Sequence, residues 1–195
     1  AAMPPRFLAV GRFVSKKGPL DTLEAFALLR GLTDQADACR LVMVGDGPLF
    51  PLVQDRARQL GLEQFVQFPG VLSPDAVAQE MRRARVFVQH SRTAEDGDEE
   101  GCPVSVMEAQ LCGLPVVATR HGGIPDVVVD QQTGRLVEEG DRRAMAEAMA
   151  LLVDQPDLAA AWGTAGQLRA QARFTVAHHV DQITMLLNDL VDHSR

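Results

Sequence analysis

The strongest constraint on this chain is its rhythm. Apolar runs of strand length alternate with helix-length segments of helical period from the first residues to about residue 154. A strand that reads as a continuous apolar run is buried on both faces, and that requires a parallel sheet with helices on either side. The expected class is therefore α/β, a Rossmann-like doubly wound parallel sheet of about six strands.

Strands are expected at Arg6–Gly11, Arg40–Gly45, Phe65–Phe68, Val86–Gln89, Pro115–Ala118 and Gly134–Val137. Helices are expected between them at Pro19–Leu32, Leu49–Leu60, Pro74–Ala84, Val104–Cys112 and Arg142–Asp154, several opened by Pro or closed by Gly. After Pro156 the strands stop, and Leu158–Ala172 and Val176–Val191 read as two amphipathic C-terminal helices, the last with a face for a neighbour. Repeats, low-complexity tracts and linkers are absent, so residues 1–195 read as one domain.

Composition narrows the function. A hydrophobic fraction of 46% with 23% charged residues excludes a disordered or collagen-like chain. Nineteen basic against 26 acidic residues give a net charge of −7, which disfavours nucleic acid as a partner, since phosphate-backbone affinity needs clustered Lys and Arg. A small anionic ligand is still compatible, because a few cations and a helix N-terminus can hold a diphosphate. Cys39, Cys102 and Cys112 are an odd number with no C-x-x-C spacing, so neither a disulfide framework nor a zinc site is suggested and a cytoplasmic setting fits. The N-terminal AAMPPR is no signal peptide and no apolar run approaches the ~20 residues of a membrane span. The chain reaches a strand almost at once, which suggests a fragment of something longer.

In a sheet of order 3-2-1-4-5-6, ligands bind where the order reverses, beyond the carboxyl ends of strands one and four. The loops after those strands, Arg12–Gly18 and His90–Pro103, are the most chemically loaded in the chain. In Gly11-Arg12-Phe13-Val14-Ser15-Lys16-Lys17-Gly18, Arg12 and Lys17 can close on a diphosphate, or the loop is simply basic and solvated. Gly45-Asp46-Gly47-Pro48 supplies a tight turn and a close backbone approach, which is also common punctuation in such folds. In Glu100-Gly101-Cys102-Pro103-Val104-Ser105-Val106-Met107-Glu108, a helix start with free N–H groups lies between two carboxylates. Amides suit a phosphate and carboxylates suit the hydroxyls of ribose and sugar. Glu108 is either a solvated helix position or a carboxylate among buried neighbours, as Val104, Val106, Met107 and Ala109 suggest.

The order G-R-F-x-x-x-K-G, V-G-D-G-P, E-G-x-P-x-x-x-x-E-A and G-x-P-V-V-A-T-x-x-G-G-I-P-D resembles the C-terminal domain of retaining GT-B glycosyltransferases of the glycosyl transferases group 1 family, and spans nearly the whole chain. The resemblance implies that the chain is one half of a GT-B fold. It implies that Arg12 and Lys17 bind the donor diphosphate, that Glu100 contacts the transferred sugar, and that Glu108 holds the ribose hydroxyls. The backbone at Gly101, Cys102, Pro103 and Val104 would serve phosphate and sugar, and Gly11, Gly45, Asp46, Gly47 and Phe68 would complete the donor site around the base. It implies no cofactor and no metal, the donor being a nucleotide-diphosphate sugar, with a UDP-sugar as the default and a GDP-sugar second. The acceptor, a glycan or lipid-linked glycan in polysaccharide, lipopolysaccharide or glycolipid synthesis, would bind a missing N-terminal domain that also carries any peripheral contact with the inner membrane face. The isolated chain would then bind donor weakly and transfer hardly at all.

Three features depart from the family pattern. His90 stands where many members have proline, an acidic insert Glu95-Asp96-Gly97-Asp98-Glu99 precedes the motif, and Glu99 competes with Glu100 for the sugar role. His121, beside Gly122-Gly123, reads as a polar loop residue, and His178, His179 and His193 lie on the late helices away from the crevice. A nucleotide-sugar epimerase of the same architecture and a regulatory nucleotide-binding module are the alternative readings.

Overall fold

In the computed structural model, residues 5–175, 178, 180 and 183–188 are described. The strands are β1 (Arg6–Val10), β2 (Arg40–Val44), β3 (Val66–Gly70), β4 (Val86–Gln89), β5 (Val116–Thr119) and β6 (Gly134–Val137). The helices are α1 (Pro19–Leu29), α2 (Phe50–Gln59), α3 (Pro74–Arg83), α4 (Val104–Leu111), α5 (Ile124–Val127), α6 (Arg142–Asp154) and α7 (Pro156–Arg173). The six strands form one all-parallel sheet in the order β3-β2-β1-β4-β5-β6. This is the expected doubly wound order, with its reversal between β1 and β4.

Alternation along each strand sends successive side chains to opposite faces. Phe7, Leu41, Met43, Val86 and Val88 face α1, α2 and α6, where Leu23, Phe26, Leu29, Val53, Met145 and Met149 meet them. Leu8, Val42, Val44, Phe87, Val116 and Ala118 face α3, α4 and α5, against Met81, Val106, Ala109 and Ile124. Burying a side chain of this size contributes ~1.5–3 kcal/mol, whereas an N-cap contributes ~1 kcal/mol. Packing therefore holds the helices, and caps are dispensable where a free helix start has another use. Ser73 caps α3 through the Ala76 N–H at 3.3 Å and Asp141 caps α6 through the Ala144 N–H at 2.8 Å. α4, which follows β4 at the switch, has no side-chain cap.

α5 and a 3-10 turn at Ser15–Lys17 are not among the expected elements, both being too short to show a period. β3 begins one residue and ends two residues later than expected, because the ladder with β2 slips between Val42 and Val44 and the strand runs on to Gly70. The first C-terminal helix is α7. The second, expected at Val176–Val191, lies partly outside the described residues; residues 178, 180 and 183–188 are helical. Among the described residues no helix is long and apolar enough to cross a membrane.

Candidate donor-binding crevice

The loop after β1 is held by the turn after β2. Gly11 N–H donates to the Val44 carbonyl at 3.0 Å, Phe13 N–H to the Asp46 carbonyl at 2.9 Å, and Leu49 N–H to the Phe13 carbonyl at 2.9 Å. Gly45, at φ 130°, lies so close to the Gly11 carbonyl that a Cβ there would overlap it. The turn brings the two loops into contact, and the Asp46 carboxylate is used locally, accepting the Gly47 N–H at 2.7 Å. Phe13 anchors the loop by packing edge-on to Phe50, ring centroids 5.0 Å apart. Arg12 is exposed and makes no ion pair among the described residues. The Lys17 stem runs past Gly11, and its Nζ reaches Glu100 Oε2 at 2.5 Å.

That contact joins the two loops expected to share the donor, and others run beside it. Arg92 N–H donates to the Lys16 carbonyl at 2.9 Å, and Lys16 Nζ donates to Asp98 Oδ1 at 2.9 Å and the Glu99 carbonyl at 3.2 Å. Of the two competing carboxylates, Glu99 accepts the Thr93 hydroxyl at 3.2 Å on the surface, while Glu100 keeps a side-chain exposure of 13% against Lys17. His90 is fully buried, with Nε2 accepting the Gly140 N–H at 2.8 Å, and burial lowers its pKa from the usual histidine value. Its backbone N–H reaches Thr22 Oγ1 at 3.3 Å, so the residue braces the start of α1 against β4. Gln89, also buried, donates to Ser91 Oγ at 2.7 Å and accepts the Ser105 hydroxyl at 3.2 Å, tying the end of β4 to α4.

His121 lies in the loop after β5, as expected, but it is buried there. Its Nε2 accepts the Glu100 N–H at 2.9 Å and its Nδ1 meets Glu139 Oε1 at 2.5 Å. Gly122, at φ 49°, is pressed against the Glu100 carbonyl where a Cβ has no room, and Gly123 N–H donates to the Gly101 carbonyl at 2.6 Å. The T-x-x-G-G spacing was the signal available in the sequence, and it marked the glycines better than the histidine. Glu139 carried no signal at all.

On α4 the expected burial around Glu108 holds for Val106 and Ala109 but not for Val104 or for Glu108 itself. Val106, Ala109 and Gln110 point inward, whereas Val104 is 61% exposed and Glu108 is exposed. One face of α4 is buried through Val106, Ala109 and Gln110, and Glu108 lies on the other. There it borders an apolar groove lined by Val10, Leu72, Val77, Met81 and Leu111. Phe68 is not brought to that groove. It packs with Phe13 and Phe50 on the opposite face of the sheet, because residues 66 and 68 share one side of β3. Pro103 is the N-cap of α4, and Gly101, Cys102 and Val104 are exposed around it. His178 is exposed and bonded to Thr175 Oγ1 at 2.8 Å, and His179 and His193 lie outside the described residues. Among the described residues no group of three or more His, Cys, Asp or Glu side chains is placed to hold a metal ion.

The crevice thus offers an exposed guanidinium, an ammonium paired to a carboxylate, an uncapped helix start, and an apolar groove with a carboxylate at its edge. Comparison with known proteins places the chain in a family. The family model for glycosyl transferases group 1 matches residues 1–169. The amylovoran biosynthesis glycosyltransferase AmsK of Erwinia amylovora is 35% identical over 143 residues, 73% of this chain and 34% of that protein. A GDP-mannose-dependent alpha-(1-6)-phosphatidylinositol monomannoside mannosyltransferase of Mycolicibacterium smegmatis is 35% identical over 165 residues, 84% of this chain and 42% of that protein. The crystal structure of Anabaena Alr3699/HepE in complex with UDP superposes with a TM-score of 0.82 at 25% identity, covering 94% of this chain and 48% of that one. The chain thus spans less than half the length of each of these three proteins.

Proposed function

Because the chain belongs to the glycosyl transferases group 1 family, we propose that it is the donor-binding half of a retaining glycosyltransferase that takes a nucleotide-diphosphate sugar. The observation that carries this reading is the meeting of Lys17 and Glu100 across the strand-order switch, beside Arg12 and the uncapped start of α4. Donor diphosphate lies between Arg12, Lys17 and the backbone N–H groups of Gly101, Cys102 and Val104. As the glycosidic bond breaks, negative charge grows on the leaving phosphate, and preorganised cations and amides stabilise it most in the transition state. No metal is required for that step in this reading. Glu100 accepts hydrogen bonds from the sugar hydroxyls. Glu108 accepts the ribose hydroxyls, with the apolar groove under the nucleoside. Retention follows from attack on the same face as departure, with the leaving phosphate drawing off the acceptor proton.

HepE is named as a UDP complex and the M. smegmatis relative as GDP-mannose-dependent, so uracil and guanine are both admissible bases. The acceptor binds elsewhere in the full-length protein, a glycan or glycolipid in keeping with the polysaccharide and phosphatidylinositol mannoside products in the relatives' names. Calorimetric titration of UDP, GDP, UDP-glucose and GDP-mannose into the chain, with Arg12→Ala and Glu108→Ala alongside, tests the reading. One nucleotide series should bind, and each substitution should weaken it by about tenfold, the loss of one charged hydrogen-bonding partner. Binding that ignores both residues overturns the site, and binding to which the sugar adds nothing favours a regulatory nucleotide-binding module.

A further inference from the structure

Glu100 faces the crevice, and its backbone is held from behind by a chain of three links. The Glu139 carboxylate accepts the Thr93 N–H on Oε2 at 2.9 Å and meets His121 Nδ1 through Oε1 at 2.5 Å. Desolvation pushes the Glu139 carboxyl up, but the hydrogen bonds from His121 and Thr93 outweigh it and hold it below the usual carboxylate value. An ionised Glu139 can only accept, so the proton of a neutral His121 resides on Nδ1. That tautomer leaves the Nε2 lone pair free, and Nε2 accepts the Glu100 N–H at 2.9 Å. On the following peptides Gly122 and Gly123 press against the Glu100 and Gly101 carbonyls. The peptides on both sides of the Glu100 Cα are therefore fixed, and with them the direction in which its side chain leaves the backbone.

From this we infer that His121, oriented by Glu139, is a positioning residue that aims the Glu100 carboxylate at the sugar of the donor. The inference rests on the donor-site reading for its ligand, but its mechanical part stands apart from it. His121 touches no substrate and acts only through the Glu100 backbone. Glu139 sets its tautomer as a second link, and a histidine free to carry its proton on Nε2 would present a donor to the Glu100 N–H.

Two substitutions separate the links. His121→Asn keeps an amide N–H near the Nδ1 position for Glu139 and removes the acceptor at Nε2. His121→Gln restores an acceptor at the Nε2 reach. Amide hydrogen exchange read at Glu100 requires no ligand, and protection should fall by about tenfold or more in His121→Asn and return in His121→Gln. Titration of the nucleoside diphosphate and its sugar into the same proteins reads the consequence. His121→Asn should leave diphosphate affinity within about twofold and reduce the extra affinity contributed by the sugar by about tenfold, with His121→Gln recovering most of it. Unchanged protection at Glu100 in His121→Asn overturns the inference, as does an equal loss for diphosphate and diphosphate sugar. If exchange behaves as expected while the parent chain gains nothing from the sugar, the clamp holds and the donor-site reading is what fails.

Discussion

Lys17 and Glu100 are assigned to different parts of the donor, yet they form an ion pair with each other, and this makes Glu100→Gln the most informative single change. The pair is 2.5 Å apart, with side-chain exposures of 18% and 13%. A diphosphate that takes Lys17 Nζ exchanges one ion pair for another and leaves the Glu100 carboxylate facing the negative charge of the nearer phosphate. For a unit charge ~8 Å away at an effective dielectric of ~20, the repulsion is ~2 kcal/mol, and solvent and salt at the open side reduce it by roughly half. Glutamine keeps the shape and removes the charge, so the nucleoside diphosphate should bind about fivefold tighter, equivalent to ~1 kcal/mol. The sugar responds with the opposite sign. A hydrogen bond to an ionised acceptor contributes ~1.5–3 kcal/mol and one to a neutral acceptor ~0.5–1.5 kcal/mol, so the affinity added by the sugar should drop about tenfold. Calorimetry with diphosphate and diphosphate sugar, at low salt and at 0.15 M, reads both effects, and the gain for the diphosphate should shrink as salt rises. A folded Glu100→Gln protein that binds diphosphate no better than the parent, at either salt, refutes the displacement argument.

Further outcomes follow from other features. Cys102 is exposed at the start of α4 and Cys39 is buried, its thiol pushed up to about 11 chiefly by desolvation. Alkylation at pH 8 should therefore modify Cys102 well before Cys39, and bound diphosphate sugar should slow it, which mass spectrometry after partial labelling will show. Because burial depresses the pKa of His90, the unfolded chain takes up a proton that the folded chain refuses between the folded pKa and the unfolded value near ~6.5. Its contribution to stability is intact above that value and is lost as pH falls, so the melting temperature should decline from pH 7 to 5.5, and His90→Gln should flatten the decline. Phe26 is fully buried and edge-on to Phe7, with centroids 6.0 Å apart, so Phe26→Ala should cost ~3–5 kcal/mol in urea denaturation, a smaller loss meaning that α1 and α6 close over the cavity.

The sheet order, its switch point and the two loops beside it were all legible in the sequence, because buried strands and the helices between them follow periodicities that composition cannot hide. Arg12, Lys17 and Glu100 were legible as charges at the carboxyl ends of β1 and β4, and the structure brings the last two into contact. Glu108 shows the limit of that reading. Its apolar neighbours suggested burial, but α4 exposes Val104 as well, and exposure depends on which neighbours a helix meets, not on how apolar it is. Phe68 packs with Phe13 and Phe50, away from the groove beside Glu108, and its face could not be read from local pattern, since β3 slips against β2. His121 and Glu139 are 18 residues apart and meet only because β5 and β6 pair, so no local pattern could announce them.

The acidic stretch before Glu100 is fastened at both ends, and between them Asp98 is tied to Lys16 across the crevice. Thr93 is held by Glu139 and Glu100 by His121, while residues 94–98 close on themselves through Ala94 N–H to the Asp98 carbonyl and Gly97 N–H to the Ala94 carbonyl, each at 2.9 Å. Closure entropy grows only slowly with loop length, so such a segment can lengthen or shorten at a cost of ~1 kcal/mol or less without disturbing either anchor. Evolution, or an engineer, is thereby given a cassette at the rim of the crevice. Its length and charge can be exchanged to suit a different substrate, while the carboxylate next to it stays aimed where the sheet and His121 point it.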